Sequence, residues 1–219
     1  MSRFPVKMNQ VRIAQKVVGP LATNCYILSC PDTLASIIVD PGGDPDVIVA
    51  FVGEMQLEPV EIVCTHGHSD HIAAVAPLCR YFGIGFALHE SDRRIVKLSV
   101  REAPLWGHHR IEEPVITRTI TAGETISFGK VSGTVLHTPG HTPGHVSLYF
   151  KGSVLVGDTI FAGSIGRTDL EGGDLKTLLH SIRTELLPLP DETLVYCGHG
   201  PDTTIGGERH ANPFINELL

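Results

Sequence analysis

No apolar run in the sequence approaches the ~18–20 residues that a membrane-spanning helix needs. The sequence also lacks a basic excess, because 17 Lys and Arg stand against 24 Asp and Glu, for a formal net charge of −7. Nucleic acids and anionic membranes are bound through basic surfaces, so we expect neither as a partner. Residues 1–7 lack the apolar core of a signal peptide, and no low-complexity segment interrupts the chain.

Paired cysteine motifs are absent as well. The five cysteines are scattered, without any C-x-x-C spacing, at Cys25, Cys30, Cys64, Cys79 and Cys197. An odd, scattered set in a chain that shows no export signal is typical of reduced, mostly buried thiols. We therefore expect a cytoplasmic protein.

The rest of the composition is that of a folded protein. Hydrophobic residues make up 42% and charged residues 19% of the 219 positions, which is enough apolar surface for a sizeable core. Since no linker divides the sequence, we expect one domain that spans residues 1–219. The unusual number is histidine, with twelve against one Trp and three Met, and several histidines lie in short glycine-flanked clusters.

Apolar periodicity and turn residues predict short strands and helices along the chain. The predicted strands cover residues 11–18, 24–30, 35–39, 60–64, 84–88, 115–120, 125–128, 131–136, 146–150, 154–156 and 193–196. The predicted helices cover residues 46–55, 70–82, 174–186 and 206–219, with a kink at Pro213, and segment 91–113 is partly helical. The order repeats strands, helix, strand, helix twice rather than alternating as βαβ. It predicts an α+β fold, a four-layer αββα sandwich of two packed sheets with helices outside.

The main chemical motif is segment 65–71, THGHSDH, between a predicted strand and a predicted helix. Its imidazoles and carboxylate are ligands that suit zinc and its first-row neighbours. Alternation along an extended backbone lets His66 and His68 point to one side. The turn into the helix directs Asp70 and His71 to a neighbouring point. Four donors in two pairs suit two metal ions better than one.

Three later segments repeat a ligand-type residue next to glycine. Segment 137–145, HTPGHTPGH, carries His137, His141 and His145. Its two Pro-Gly turns hold the backbone tightly, but spacing does not choose among the three histidines. Asp158 follows one predicted strand and His199 follows another. Together with segment 65–71, they predict a single metal site at one edge of the sandwich.

The order of these motifs resembles that of the metallo-β-lactamase superfamily. The resemblance rests on HxHxDH at 66–71, TPGH at 138–141, GDT at 157–159 and GHG at 198–200, and it extends from LATNCY at 21–26 to NPF at 212–214. Within the superfamily, the chain is most similar to short glyoxalase II-type hydrolases. That narrower similarity rests on GSIGRTD at 163–169 and HGPDTTIG at 199–206.

This resemblance implies a site for two divalent metal ions, with zinc as the first choice and iron or manganese as alternatives. The implied ligands are His66, His68 and His141 for the first ion, Asp70, His71 and His199 for the second, and Asp158 as the bridge between them. His145 is left with a supporting role, and Asp40 resembles the family's buried Asp that supports the ligand turn through hydrogen bonds. Asp70 is also expected to orient a metal-bound hydroxide.

The implied activity is hydrolysis of a small-molecule thioester such as S-lactoylglutathione. Two ions ~3.5–4 Å apart can share a hydroxide that attacks a polarised carbonyl. A thiolate with a thiol pKa of ~8.5 leaves without a dedicated general acid.

The bridging Asp158 disfavours a true β-lactamase, and His68 disfavours the flavodiiron branch, which carries Glu there. The main alternative is a persulfide dioxygenase, a mononuclear iron enzyme using only His66, His141 and Asp158. The minor alternative is a non-catalytic metal-binding module.

Two residues are candidates for substrate contact. Arg167 either grips a substrate carboxylate or forms an ion pair with an acidic neighbour. Trp106, in segment 91–113, either forms an apolar wall of the cleft or packs in the core. Long glyoxalase II enzymes bind glutathione partly through an added C-terminal helical domain, for which this sequence has no counterpart. The resemblance therefore does not specify the thiol part of the substrate, and no pattern in the sequence specifies an oligomeric state.

Overall fold

Two β-sheets of six strands each form the centre of the computed structural model, which describes residues 11–109 and 111–216. The first sheet consists of β1 (Arg12–Val18), β2 (Thr23–Ser29), β3 (Ala35–Val39), β4 (Glu58–Val63), β5 (Gly85–His89) and β6 (Arg118–Ile120), which lie side by side in chain order. Strands β1 to β3 are antiparallel, whereas β3 to β6 are parallel. The sheet is therefore mixed, with antiparallel strands at its β1 side and parallel strands at its β6 side.

The second half of the chain builds the other sheet. Its strands follow as β7 (Thr125–Phe128), β8 (Val131–His137), β9 (Val146–Phe150), β10 (Ser153–Gly157), a short hairpin of β11 (Ile160–Phe161) and β12 (Ser164–Ile165), and then β13 (Leu194–Cys197) and β14 (Thr203–Thr204). The sheet order is β14-β13-β10-β9-β8-β7, and the β11-β12 hairpin stands apart from it. Strands β10 and β13 are parallel, so their carboxyl ends meet at one edge.

The helices are short and lie between the strands. They are α1 (Pro45–Glu54), α2 (Ser69–Ile72), α3 (Val75–Phe82), α4 (Arg93–Glu102), α5 (Leu175–Ser181), α6 (Ile205–Ala211) and α7 (Pro213–Asn216). The 3-10 turns Glu90–Asp92 and Ala103–Trp106 flank α4, and a π-helical turn, Ile182–Leu186, continues α5. Among the described residues, no helix has both the length and the apolar character needed to cross a membrane.

Three apolar layers show how the sheets and helices stack. Strand β2 illustrates this, because successive side chains of a strand point to opposite faces. Tyr26 and Leu28 pack between the two sheets, while Cys25 and Ile27 pack under the helices on the outer face of the first sheet. A third cluster, which includes Leu178, packs helices against the outer face of the second sheet. These layers confirm the expected four-layer sandwich as a single domain.

One expectation about topology was wrong. The order of elements predicts a repeated unit rather than βαβ alternation, yet helical crossovers connect the parallel strands β3, β4, β5 and β6. Parallel neighbours cannot be joined by a hairpin, and a helix that returns the chain to the same edge is the usual connection. The first half thus combines an antiparallel meander with βαβ units.

Two predicted helices are interrupted. The helix expected over 70–82 is divided into α2 and α3, because the Ala74 N–H donates to the Pro41 carbonyl, 2.9 Å away, instead of continuing the helical ladder. The helix expected over 206–219 breaks at Asn212, which is extended because a residue before proline disfavours the helical conformation. Its predicted last three residues lie outside the described part of the chain. The strand expected over 115–120 is limited to β6, and β11, β12 and β14 were not predicted.

Candidate metal centre

The ligand-type residues of the four sequence segments converge at one edge of the sandwich. His66 and His68 lie in the connection that leaves β4, while Asp70 and His71 belong to the first turn of α2. His141 lies in the connection between β8 and β9, and Asp158 and His199 follow β10 and β13. Strands β10 and β13 are parallel neighbours in the second sheet, so their carboxyl ends lie together. The carboxyl end of β4, in the first sheet, faces them, because His66 lies in one ligand group with His71 and Asp158.

These seven side chains form three overlapping groups. In each group, one ligand atom per residue lies within 4.8 Å of the others. The groups are His66, His68 and His141; His66, His71 and Asp158; and Asp70, His71 and His199. Asp158 links them, because its carboxylate lies 3.4 Å from His71 Nε2 and 3.6 Å from both His141 Nε2 and His199 Nε2. The structure therefore brings together all seven residues that the resemblance named.

Contacts between Nδ1 and protein oxygens orient four of these histidines; three are hydrogen bonds, and the contact of His71 is an ion pair. In each ring, Nδ1 faces an oxygen of the protein and carries a proton, so Nε2 is the nitrogen that can bind a metal ion. The partners are Thr65 Oγ1 for His66 at 3.1 Å, Asp40 Oδ2 for His71 at 3.1 Å, the Arg167 carbonyl for His141 at 2.7 Å and the Leu21 carbonyl for His199 at 3.2 Å. The four Nε2 atoms thus point into the cluster.

Three buried atoms that face inward have no hydrogen-bond partner among the described residues: His66 Nε2, His71 Nε2 and Asp158 Oδ1. His68 Nδ1 and His141 Nε2 have only each other, at 2.9 Å. Buried polar atoms normally find a partner, and imidazole nitrogens arranged with carboxylates are the donor set that divalent first-row metals prefer. The residues present therefore fit the two divalent ions that the sequence motifs imply.

The charges of the cluster favour the ligand forms of His66, His68 and Asp158, whereas they favour the protonated form of His71, whose proton a metal ion would have to displace. Burial, together with the neighbouring histidines, lowers the pKa of His66 well below its ordinary value and that of His68 to about 3. For His71, burial also pushes the pKa down, but the carboxylates of Asp158 and Asp70 outweigh it and raise the pKa well above the ordinary value. Burial would raise the pKa of Asp158, yet His71 and His141 hold it well below the usual range. Neutral imidazole and ionised carboxylate are the forms that bind metal.

Asp40 and His145 lie behind the cluster, as supporting residues would. The Asp40 carboxylate accepts hydrogen bonds from the Thr65 amide at 2.7 Å and the Thr65 hydroxyl at 2.8 Å, in addition to its contact with His71. Both ring nitrogens of His145 are engaged by the protein, since Nε2 accepts from the Asp158 amide at 3.1 Å and Nδ1 contacts Thr138 Oγ1 at 3.0 Å. His145 therefore orients the backbone of Asp158 and offers no lone pair to the cluster.

A cavity of about 710 Å³ opens directly onto the cluster. Side chains of the candidate ligands form its floor, including Asp70 and Asp158. Its walls are mainly apolar and are contributed by Ile95, Leu98, Trp106, Phe161, Ile165 and Leu170. A cleft that combines an apolar wall with a few polar groups on its floor is typical of a small-molecule site.

Arg167 and Trp106 both line this cavity. The exposed Arg167 guanidinium pairs with both carboxylate oxygens of Asp169, each at 2.7 Å, and lies 5.8 Å from the centre of the Trp106 ring. For Arg167, the structure thus shows the ion pair that the sequence left as one of two alternatives. Trp106 is half-buried and faces the cleft rather than a core cluster.

Sequence reasoning missed residues that hold the ligand loops from a distance. The Asn24 side chain donates to the carbonyls of Cys197 and Gly200, each at 2.9 Å, and so encloses the loop that carries His199. No local pattern indicates this, because Asn24 lies on the first β-strand hairpin, far from His199 in the chain. Gly198 belongs to the GHG motif of the sequence, but only the structure shows why a glycine is needed at this position. A Cβ there would overlap Asp158 Oδ1.

Comparison with known proteins gives consistent matches over nearly the whole chain. The family model of the metallo-beta-lactamase superfamily matches residues 18–199. The probable metallo-hydrolase YqgX of Bacillus subtilis is 38% identical over 202 residues, which cover 91% of this chain and 95% of the relative. The hydroxyacylglutathione hydrolase GloC of Haemophilus influenzae is 36% identical over 197 residues, covering 88% of this chain and 92% of the relative.

Solved structures give the same picture. The BLEG-1 B3 metallo-beta-lactamase superposes with a TM-score of 0.87 at 39% identity, over 93% of this chain and 99% of that chain. The di-iron-bound form of TTHA1623 superposes with a TM-score of 0.84 at 39% identity, over 92% of this chain and 99% of that chain. The similarity therefore extends over nearly the full length of these relatives.

Proposed function

Because the chain belongs to the metallo-beta-lactamase superfamily, we propose that it is a hydrolase that uses two divalent metal ions to cleave thioesters such as S-lactoylglutathione. Zinc is the first choice of metal, with iron or manganese as alternatives. The proposal includes a cytoplasmic location, which agrees with five free cysteines. A small-molecule thioester is the proposed partner, without nucleic acid or membrane.

The completeness of the Asp70, His71 and His199 group carries this proposal. A mononuclear enzyme needs only one set of ligands, and His66, His68 and His141 already form one. The second group also lies within 4.8 Å, and Asp158 stands between the two groups. The similarity to hydroxyacylglutathione hydrolase GloC supports the thioester as the class of substrate.

When bound, two divalent ions would supply a deprotonated water at neutral pH and positive charge for a developing oxyanion. The residues of the chain do the rest. Asp70, only 9% exposed and on the cavity floor, is proposed to orient the attacking water through its carboxylate. The apolar walls exclude bulk water and place the thioester carbonyl over the cluster. The thiolate product needs no protonation to leave, because its thiol pKa is ~8.5.

The test is metal analysis of the purified protein together with hydrolysis of S-lactoylglutathione. We expect two ions per chain and release of the free thiol. His141→Ala should lose both metal and activity. The matched control is His137→Ala, since His137 belongs to the same HTPGHTPGH segment but stacks on His89, with ring centres 4.5 Å apart, outside the cluster. Two ions without cleavage of any thioester would refute the proposed substrate class.

A second candidate activity is β-lactam hydrolysis: the similarity to the BLEG-1 B3 metallo-beta-lactamase favours it, whereas Asp158 within the cluster disfavours it. Assaying a chromogenic cephalosporin with the same protein preparation separates the two activities. One iron per chain, with oxygen uptake and sulfite formation from a persulfide, would instead decide for the dioxygenase alternative. Bound metal with no turnover of any of these substrates would decide for a non-catalytic module.

A further inference from the structure

A further buried carboxylate, Asp92, lies between the two loops that carry the first group of histidines. It ends the 3-10 turn Glu90–Asp92 that leads from β5 into α4, and it is 0% exposed. Its carboxylate accepts three hydrogen bonds, from the Gly67 amide at 2.8 Å, the Thr142 hydroxyl at 2.7 Å and the Gly144 amide at 2.6 Å. Such short bonds to an ionised acceptor are of the strong, charge-assisted kind.

The donors belong to two segments that lie far apart in the chain. Gly67 stands between His66 and His68, and Thr142 directly follows His141. These three histidines are one of the groups whose ligand atoms lie within 4.8 Å of one another. Asp92 therefore connects the backbone on one side of that group to the backbone on the other side. It makes no hydrogen bond to the loop of His199 or to Asp70.

Both backbone donors are glycines, and the space around Asp92 explains this choice. A Cβ at Gly144 would lie 2.7 Å from both the amide nitrogen and Oδ1 of Asp92. A Cβ at Gly67 would lie 3.1 Å from the Asp92 carbonyl oxygen. A side chain at position 144 would therefore displace Asp92, and one at position 67 would press on its backbone, so the glycines of the two histidine motifs and Asp92 form one packed unit.

We propose that Asp92 is a positioning residue for the His66, His68 and His141 group: it holds the two loops at the distance at which their histidines can share one ion. This inference rests on the metal centre proposed above. It does not extend to the Asp70, His71 and His199 group. Burying a carboxylate is unfavourable unless its hydrogen bonds are satisfied, which is why all three donors are required at once.

The test is Asp92→Asn, which keeps the shape but turns one acceptor into an amide that faces a donor. We expect one of the two Zn²⁺ ions to bind ~10–100-fold more weakly in chelator competition, as for other partners that orient metal ligands. The other ion should keep its wild-type affinity. With Co²⁺ in place of zinc, the visible absorption of one site should shift, which reports the ligand geometry directly and does not depend on activity.

Glu208→Gln is the matched control. Glu208 is also buried, at 4% exposure, and also accepts three hydrogen bonds, from Gly163, Thr203 and Asn212. It anchors the β11-β12 hairpin and touches no loop that carries a histidine of the first group. We expect this variant to lower the melting temperature as Asp92→Asn does, but to leave both Zn²⁺ affinities and the Co²⁺ spectrum unchanged.

Thr142→Val provides a second variant in case Asp92→Asn does not fold, because it removes a single donor to Asp92. It should weaken the same ion by a smaller factor. Wild-type affinity for both ions in the folded Asp92 or Thr142 variant, or an equal loss in Glu208→Gln, would overturn the inference. A wild-type protein that binds no metal would refute the proposed function as well, and the two failures are therefore distinguishable.

Discussion

Gly198→Ala is the substitution whose effect follows most directly from the geometry of the centre. The new Cβ would overlap Oδ1 of Asp158 and lie 2.9 Å from Cε1 of His71. Real Cβ atoms keep at least 3.0 Å from such neighbours. The Asp158 carboxylate would therefore have to recede by about 1 Å, a displacement that matters on the scale of catalytic geometry.

This displacement of the Asp158 carboxylate is energetically unfavourable. Asp158 stands between the histidines of the cluster, and its amide is held by His145, so its carboxylate can move only by leaving those partners. A misplacement of about 1 Å in such a site costs roughly 10²-fold in rate, equivalent to ~2.7 kcal/mol of transition-state stabilisation. We expect kcat/KM for S-lactoylglutathione to fall by that factor, with a parallel loss of bound metal.

The assay is steady-state hydrolysis with metal analysis and a thermal melt of each preparation. Gly53→Ala is the control, because a Cβ at Gly53 meets nothing within 4 Å and the residue lies inside α1. It should raise stability by roughly 0.5–1 kcal/mol and leave kcat/KM unchanged. A folded Gly198→Ala protein with wild-type metal content and kcat/KM would refute the role given to Asp158.

Asp158→Ala should lower metal content and hydrolysis together, and full activity in that variant would contradict its place at the junction of the ligand groups. Chelation should lower the melting temperature by about 5–10 °C for each ion removed, relative to protein with zinc at ~100 times its Kd, because that occupancy adds ~2.7 kcal/mol per ion. Trp106→Ala should raise KM roughly 3–10-fold with little change in kcat, since its ring lines the cavity beside Arg167; a fall in kcat alone would speak against a wall. Tyr26→Phe should cost roughly 0.5–1.5 kcal/mol in a urea melt, because the buried hydroxyl donates to the Cys197 carbonyl at 2.7 Å, and an unchanged midpoint would count against that bond.

Much of the fold could be predicted from the sequence because its signals are local. The apolar stretches at 24–30, 35–39 and 146–150 coincide with strands to within a residue or two, since a mostly buried strand is recognisable by β-branched composition and bounding turns. The parallel crossovers were missed, because strand pairing depends on contacts between residues far apart in the chain. The divided helix at Ala73–Ala74 was missed for the same reason: the Ala74 amide is taken by Pro41, more than thirty residues earlier.

The sequence by itself determined the chemistry of segment 65–71, because the backbone from β4 into α2 places His66, His68, Asp70 and His71 within a few residues of one another. It also determined that further ligand types would follow strands, at Asp158 and His199. Spacing alone could not decide among the three histidines of segment 137–145.

Only the tertiary structure decided which nitrogens face the cluster. His141 is directed inward by the Arg167 carbonyl, whereas His145 is occupied by the Asp158 amide and Thr138. The structure also revealed Asp92 as the connection between two ligand loops. Such partners come together only when two sheets pack, because a hydrogen bond between distant segments depends on their relative position in space and leaves no periodic trace in the chain.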